Sequence, residues 1–516
     1  MKEKRAVISL AVACWLGFWL YFTRYAMLDD ALIHLRYAVN LHTLRYFTYN
    51  GGAPSYGASS ILYVWIISLF AGVPGVVFLP KIFSAVCYVG LILVLVCLAF
   101  RSNLSRRQFF LWMLLLACNL SPMAVRWMPN GMETSMVSLM AATFAVIVVR
   151  FTSRPSSGPF TFAVLTVFGF FLTMLRIELA SLSVVAGIII LLGQINHARG
   201  GSLRFLPFMI SFAPVLGALS ALGLTHHIFG SLLPDTAIAK SAQASLGPFF
   251  ASAKVIASSF VFGIGLLGIA VLSAAFLLRQ YFVRNRINWT ILTQWAAANS
   301  PFPMLVSLAC LRGQSVQGIR YLVWPLLFSS VWNLLQLDNL DCEAEGRHLA
   351  SEPRILLYSV QAYAILLIIC LPMDWIYAVH SMKGRSETFL QMKGAGLERF
   401  QNSTIIAGDV GFIGYFTGGT ICDIDGLING RAAARKKSAE RITACVSQNP
   451  RAIFVTAGQA HSVAEAIDLD NWVICRIVDF PNVRSSDRHY LLVRAPERNE
   501  ACSTRSIIPL KDALNN

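Results

Sequence analysis

The sequence predicts an α-helical multi-pass membrane protein with a small C-terminal extracytoplasmic α/β domain. Composition is the first ground: 56% of the 516 residues are hydrophobic and 13% are charged, about half the charged share of an ordinary soluble chain. The second is that apolar runs suited to about 30 Å of hydrocarbon recur up to residue 373 and then stop. The third is charge: residues 374–516 hold 17 Lys and Arg against 15 Asp and Glu, so +14 of the formal +16 belongs to the membrane region.

The runs predict eleven spans, at 6–23, 76–100, 108–121, 135–149, 160–175, 179–193, 205–223, 255–278, 290–310, 321–338 and 355–373. The first is too long, and too soon followed by others, for a cleaved signal peptide. Basic residues crowd into alternate short loops: Lys2, Lys4 and Arg5; Arg101, Arg106 and Arg107; Arg150 and Arg154; Arg199 and Arg204; Arg279, Arg284 and Arg286. Under the positive-inside rule these loops and the N-terminus are cytoplasmic, which leaves the C-terminal domain periplasmic or extracellular. That distribution also explains the basic excess without nucleic acid. The stretch "YGASSILYVWIISLFAG" at 56–72 reads as an interfacial or half-inserted helix, because a full crossing there would put the Arg101–Arg107 loop outside. The alternative is twelve spans with one loop against the charge rule.

The division at 373/374 separates a transmembrane domain, 1–373, from an α/β domain, 374–516. In the latter "STIIAGD", "TICDIDG", "AIFVTAG", "WVICRIV" and "YLLVRAP" read as strands; "VGFIGYFTGG" reads as a short helix and "ARKKSAERITACVSQ" as an amphipathic one. Of the 11 cysteines, Cys422, Cys445, Cys475 and Cys502 fall in this disulfide-permissive domain and allow three pairings.

With this topology the unusual polar residues gather on the outer side. "MLDDALIHLRYAVNL" at 27–41 sets Asp29 and Asp30 where the first span leaves the bilayer, followed by His34, Arg36 and Tyr37. On a helix Asp29 lies within about 20° of Arg36, and Asp30 and His34 are i,i+4 neighbours. The plain structural reading makes Asp30 an N-cap and Asp29 a complement to the helix dipole. Arg176 and Glu178 sit inside the broken apolar segment 160–193, where a charge costs roughly 2.5 to 3.5 kcal/mol at a helix centre and normally faces a cavity or a partner. A mutual ion pair is the alternative. Glu133, Lys240 and Arg320 occupy outer loops on the same side. Carboxylates beside several cations suit an anionic lipid phosphate brought next to a general base.

These segments resemble the GT-C membrane glycosyltransferases, which use polyprenyl-phosphate sugars outside the cytoplasm, and within them the branch of the mycobacterial terminal arabinofuranosyltransferase and its bacterial relatives. The matching pieces run in order: "DDALIHLRYAVNL", "YNGG", "YGASSILYVW", "RWMPNGMETSM", "LRIELA", "FGSLLPDTAIAK", "RYLVWPLL" and "GDVGFIGYFTGGTICDIDGLIN". Ile177 stands where the family usually has proline, and "NGGAPSYG" lacks the acidic residue often found after that glycine. The resemblance implies inverting transfer of a sugar from the lipid phosphate to an acceptor hydroxyl of a cell-envelope glycan. It makes Asp29 the base, with Asp30 orienting it or contacting the acceptor. Arg36, Arg176, Lys240 and Arg320 are then the donor-phosphate ligands, and Glu133, Glu178, His34 and Tyr37 the substrate contacts. Inversion needs no nucleophilic carboxylate. The adjacent pair Asp29 and Asp30 also offers hard oxygen ligands to one divalent cation, Mg2+, Mn2+ or Ca2+. The competing class is a transporter or flippase of a lipid-linked substrate, but the charges are one-sided and no two halves of the chain match.

Overall fold

The computed structural model describes residues 2–101, 104–153, 158–198, 205–241, 289–301, 323–345, 354–478, 489–494 and 508–509. Its membrane part comprises α1 (Lys2–Phe22), α2 (Asp29–Leu44), α3 (Ile61–Ser68), α4 (Leu79–Ala99), α5 (Arg106–Leu120), α6 (Pro122–Trp127) and α7 (Thr134–Ser153). These are followed by α8 (Pro159–Leu175), α9 (Ala180–Ala198), α10 (Phe205–Phe229), α11 (Asp235–Ser241), α12 (Trp289–Asn299), α13 (Val323–Glu345) and α14 (Arg354–Lys393). Among the described residues four helical stretches are long and apolar enough to cross a membrane: Val76–Ala99, Thr134–Thr152, Ile177–Ile195 and Phe208–Phe229. Shorter apolar helices cover Ala6–Phe22, Gln108–Leu120, Pro159–Leu175 and Val323–Leu337. The expected span at 255–278 lies outside the described residues, as does 302–310 of the next one.

Local chemistry sets the breaks. Ser105 opens α5 with a capping box to Gln108, and Ser60 caps α3 through the Tyr63 N–H at 3.3 Å. At eight residues, about 12 Å, α3 is too short for a crossing. The apolar segment 160–193 breaks at Arg176, which is extended (φ −158°, ψ 132°), and a 3-10 turn at Ile177–Leu179 leads into α9. Helices α8 and α10 cross closely: a Cβ added at Gly217 would lie 1.9 Å from the Thr166 carbonyl oxygen. Small residues drive such contacts in lipid.

The outer domain is built on β1 (Thr404–Ala407), β2 (Thr420–Asp423), β3 (Ala452–Thr456), β4 (Trp472–Val478), β5 (His489–Arg494) and β6 (Ile508–Pro509) in the order β2-β1-β3-β5-β4-β6. Strand β1 is parallel to β2 and β3, and the rest are antiparallel. Its helices are α15 (Val410–Thr417), α16 (Arg431–Arg435), α17 (Ser438–Val446) and α18 (Ala457–Ala464). The single amphipathic helix expected over "ARKKSAERITACVSQ" is two, because Lys436 and Lys437 are extended. The buried Arg441 holds that corner with Nη1 on the Lys436 carbonyl at 2.6 Å and Nε on that of Ile424 at 2.7 Å.

Of the three pairings open to the outer cysteines, the structure contains Cys422–Cys445, which ties β2 to α17. Cys475 is also disulfide-bonded. Closing a loop of 23 residues is worth about 3 kcal/mol on the chain-entropy account. Cys445→Ser is therefore expected to lower the outer domain's unfolding midpoint, and reductant should do the same to the parent protein but leave the variant less changed. Calorimetry in detergent measures both.

Candidate active site

The approach to Asp29 is pinned from two sides. Lys81 Nζ on α4 donates to the Ala26 carbonyl at 3.0 Å, and Leu28 N–H to that of Asn130 at 3.3 Å. Leu28 is the N-cap of α2 and is extended, so Asp29 and Asp30 fill the first turn and neither is the cap. Asp29 instead caps a different helix. Its Oδ2 accepts the Gly411 N–H at 2.9 Å and its Oδ1 the Phe412 N–H at 2.6 Å, both at the start of α15 in the outer domain.

Seven residues on, about 10 Å along α2, Arg36 grips the other end of α15. Its Nη1 donates to the Gly414 carbonyl, Nη2 to that of Gly419 at 2.8 Å, and Nε to that of Tyr49 at 2.9 Å. A carboxylate at the N-terminus and a guanidinium at the C-terminus both complement the dipole of α15. Two glycines allow the approach, one facing α2 and one the loop after it: a Cβ at Gly411 would lie 1.9 Å from the Asp29 carbonyl oxygen, and one at Gly414 1.8 Å from the Tyr49 hydroxyl. Gly411→Ala is expected to cost about 1 to 3 kcal/mol and to free the outer domain, read as faster proteolysis of the linker near Gly394–Gly396.

The loop after α2 completes the junction. Asn40 Nδ2 donates to the Thr48 and Tyr49 carbonyls, while the Asn50 amide pairs with both N–H and C=O of Ile421, covering the open edge of β2. A cavity of about 520 Å³ lies between this loop and the outer domain, lined by Asn50, Ser55, Asn429, Lys436 and Gln448 among others.

A second polar group is buried on the membrane-domain side. Glu133, fully buried, accepts Arg176 Nη1 at 2.8 Å, and the same guanidinium reaches Glu178 Oε1 from Nε at 2.8 Å and Nη2 at 2.5 Å. His34 Nδ1 donates to the Asp30 carbonyl at 2.8 Å, which leaves Nε2 directed at Glu133 Oε2, 3.8 Å away. Asp235 exchanges hydrogen bonds with the backbone of Tyr56, and burial raises its carboxyl above the ordinary value.

Of the sequence-predicted residues, then, the structure gathers His34, Glu133, Arg176 and Glu178, and sets Asp29 and Asp30 on the neighbouring first turn of α2. Two expected ligands turn elsewhere. Arg36, expected at a donor phosphate, has its guanidinium on three carbonyls, because the close packing of α15 brings those acceptors to it. Tyr37, expected at the substrate, is sealed in the core, its hydroxyl shared with Ser55 Oγ at 2.8 Å and accepting Gly57 N–H at 3.0 Å. Lys240 falls on α11; its side chain and Arg320 lie outside the described residues. Asp235 was missed, and Asp409 was read as a strand-end turn acid that could face the cavity. Asp235 looked like a loop acid, although Pro234 before an "xxAxxK" run signals a helix start.

Burial pushes the Asp29 carboxyl well above the usual carboxylate range. The Asp409 charge adds to this, the Phe412 N–H opposes it, and Asp30 raises it further. Asp409 itself precedes α15, makes no cap of its own, and pairs with His489 Nε2 at 2.5 Å. Both Asp29 oxygens already hold N–H donors, and among the described residues no three His, Cys, Asp or Glu side chains converge as metal ligands.

The chain resembles ArnT in fold. ArnT from Cupriavidus metallidurans, solved bound to undecaprenyl phosphate, aligns with 97% of this chain and 99% of its own at a TM-score of 0.51 and 11% identity. A weaker likeness, TM-score 0.47 at 10% identity, is to the oligosaccharyltransferase AglB from Archaeoglobus fulgidus, solved with an inhibitory peptide and a dolichol-phosphate; it covers 93% of this chain and 74% of that one. A family model described as a domain of unknown function, DUF8728, matches residues 382–499. No curated protein matches. The ArnT likeness, spanning membrane and outer domains together, establishes a membrane-protein fold shared with that structure.

Proposed function

We propose that the chain is an inverting glycosyltransferase that moves a sugar from a polyprenyl-phosphate donor to a hydroxyl of a cell-envelope glycan, on the outer face of the plasma membrane. The observation that supports it most is on α2: Asp29, a carboxyl of raised basicity, opens the helix whose His34 approaches the Glu133–Arg176–Glu178 ion-pair group. The whole-chain likeness in fold to a structure holding undecaprenyl phosphate agrees with it.

In this reading Asp29 takes the acceptor hydroxyl proton as the oxygen attacks the anomeric carbon and the C–O bond to phosphate breaks. The α15 N–H groups hold its oxygens in place, and each retains a lone pair for the proton. Asp30, through its backbone carbonyl on His34, orients the imidazole whose Nε2 and the Glu133 carboxylate face donor hydroxyls. Arg176, held by two carboxylates, organises that acidic pair, and the leaving phosphate falls to Lys240 and Arg320. The polar cavity beside Asn50 and Asn429 is the seat of the acceptor glycan.

The test is reconstitution of the purified protein with single radiolabelled polyprenyl-phosphate sugars and envelope glycans. Transfer of label with inverted anomeric configuration is expected from one donor. Counterflow of the lipid across proteoliposomes with no transfer from any donor would replace the enzyme by a flippase.

A further inference from the structure

A second group of cations gathers around the segment "RWMPN", residues 126–130. Arg126, at the end of α6, is buried, yet its Nε and Nη1 have no hydrogen-bond partner. A further hydrogen bond joins it to Tyr377, over whose ring its Cζ lies at 4.4 Å. The next residues add more buried donors without acceptors, Trp127 Nε1 and Asn130 Nδ2. Trp127 is flanked by two guanidinium groups, those of Arg126 and Arg385, each 4.8 Å from its ring. Arg385 Nη1 donates to the Arg126 carbonyl at 2.9 Å, and Lys81 Nζ donates to that of Pro129. The segment "RWMPN" is therefore bracketed by Lys81 on α4 and Arg385 on α14. Among the described residues no carboxylate pairs with Arg126 or Lys81.

Unpaired buried donors around concentrated positive charge are the complement of an anion. The surroundings say which kind. Tyr377 is half exposed beside the exposed Ile376 and Ile369 of α14, and Trp375, two residues before it, packs on Trp15 and Trp19 of α1 at 5.5 and 5.0 Å. Aromatic residues at the end of apolar helices mark the membrane–water boundary. We propose that Arg126, with Trp127, Lys81 and Arg385, binds the phosphate of an anionic bilayer lipid at this lipid-facing margin. The proposal does not rest on the glycosyltransferase reading.

The test uses the full chain in neutral detergent with added phosphatidylglycerol, phosphatidylcholine or inorganic phosphate. Phosphatidylglycerol is expected to raise the unfolding midpoint and to remain bound, one per chain, in native mass spectra, whereas equal concentrations of the other two do neither. Arg126→Gln should weaken retention at least about tenfold, the worth of one charge-assisted contact. Retention equal to the parent's in Arg126→Gln, or equal retention of phosphatidylcholine, would overturn the site. Stabilisation by inorganic phosphate alone would make it a free-anion site and sink the lipid assignment. Should Arg126→Gln not fold, Arg385→Gln and the competition between the two lipids on the parent chain decide.

Discussion

Asp29→Asn is expected to lower sugar transfer by about 100- to 10,000-fold, the usual contribution of a general base. An amide keeps the size of the carboxylate but has no basic oxygen, and it meets the two N–H groups of α15 with one acceptor where the parent has two. Activity and domain docking therefore fall together, and a second variant separates them. Arg36→Ala removes two hydrogen bonds from the far end of α15 and one from the Tyr49 carbonyl and leaves Asp29 untouched, so it should loosen the outer domain with a far smaller loss of rate per folded molecule. Equal losses in both would show that Asp29 matters only as a clamp. The pH profile adds an independent reading. The folded carboxyl of Asp29 lies above its ordinary value and must be ionised to accept a proton. The rate should accordingly rise with pH through a limb placed above the normal carboxylate range. Stability runs the opposite way: a raised carboxyl favours the fold most at acid pH, and this contribution is lost as pH climbs through the folded value.

Arg176→Met should cost about 3 to 5 kcal/mol, because it takes the guanidinium away from the fully buried carboxylate of Glu133. Changing Glu133 to Leu in the same chain removes that carboxylate and is expected to return most of that loss, while activity stays absent. Thermal unfolding of both proteins in detergent measures the difference. A single substitution costing less than about 1 kcal/mol would mean that water or a counter-ion already reaches Glu133.

Much of the fold was legible because hydropathy and turn chemistry are local. The stop at 175/176, the sheet-forming runs after 403 and the short helix at "VGFIGYFTGG" follow from residues within a turn or two of one another. The full count of eleven spans did not emerge in the same way, since several runs form helices shorter than a bilayer crossing. Among the site residues, Arg176 and Glu178 were readable as charges too costly to leave unpartnered in an apolar setting, whereas His34 and Glu133 entered only through helix spacing and the family resemblance. The partners of Asp29 and Arg36 were not readable, lying some 380 residues away in the chain. The i,i+7 spacing did place Asp29 and Arg36 on one face; what it lacked was the helix that the face receives. Tyr37 was misread for a related reason: a loop beyond Arg45 folds back and buries a position that faces outward on an isolated helix.

Helix α14 runs unbroken for 40 residues, about 60 Å, and only its first half carries the apolar run ending near 373. Its second half is thus a mast that sets both the height and the rotational phase of everything after Lys393. One residue inserted after Ser381 would turn the mounted sheet by 100° and lift it 1.5 Å, breaking register with α2. Seven would nearly restore the phase yet raise it about 10 Å, beyond the reach of Asp29. The distance from bilayer to outer sheet is in this sense written into the length of one helix.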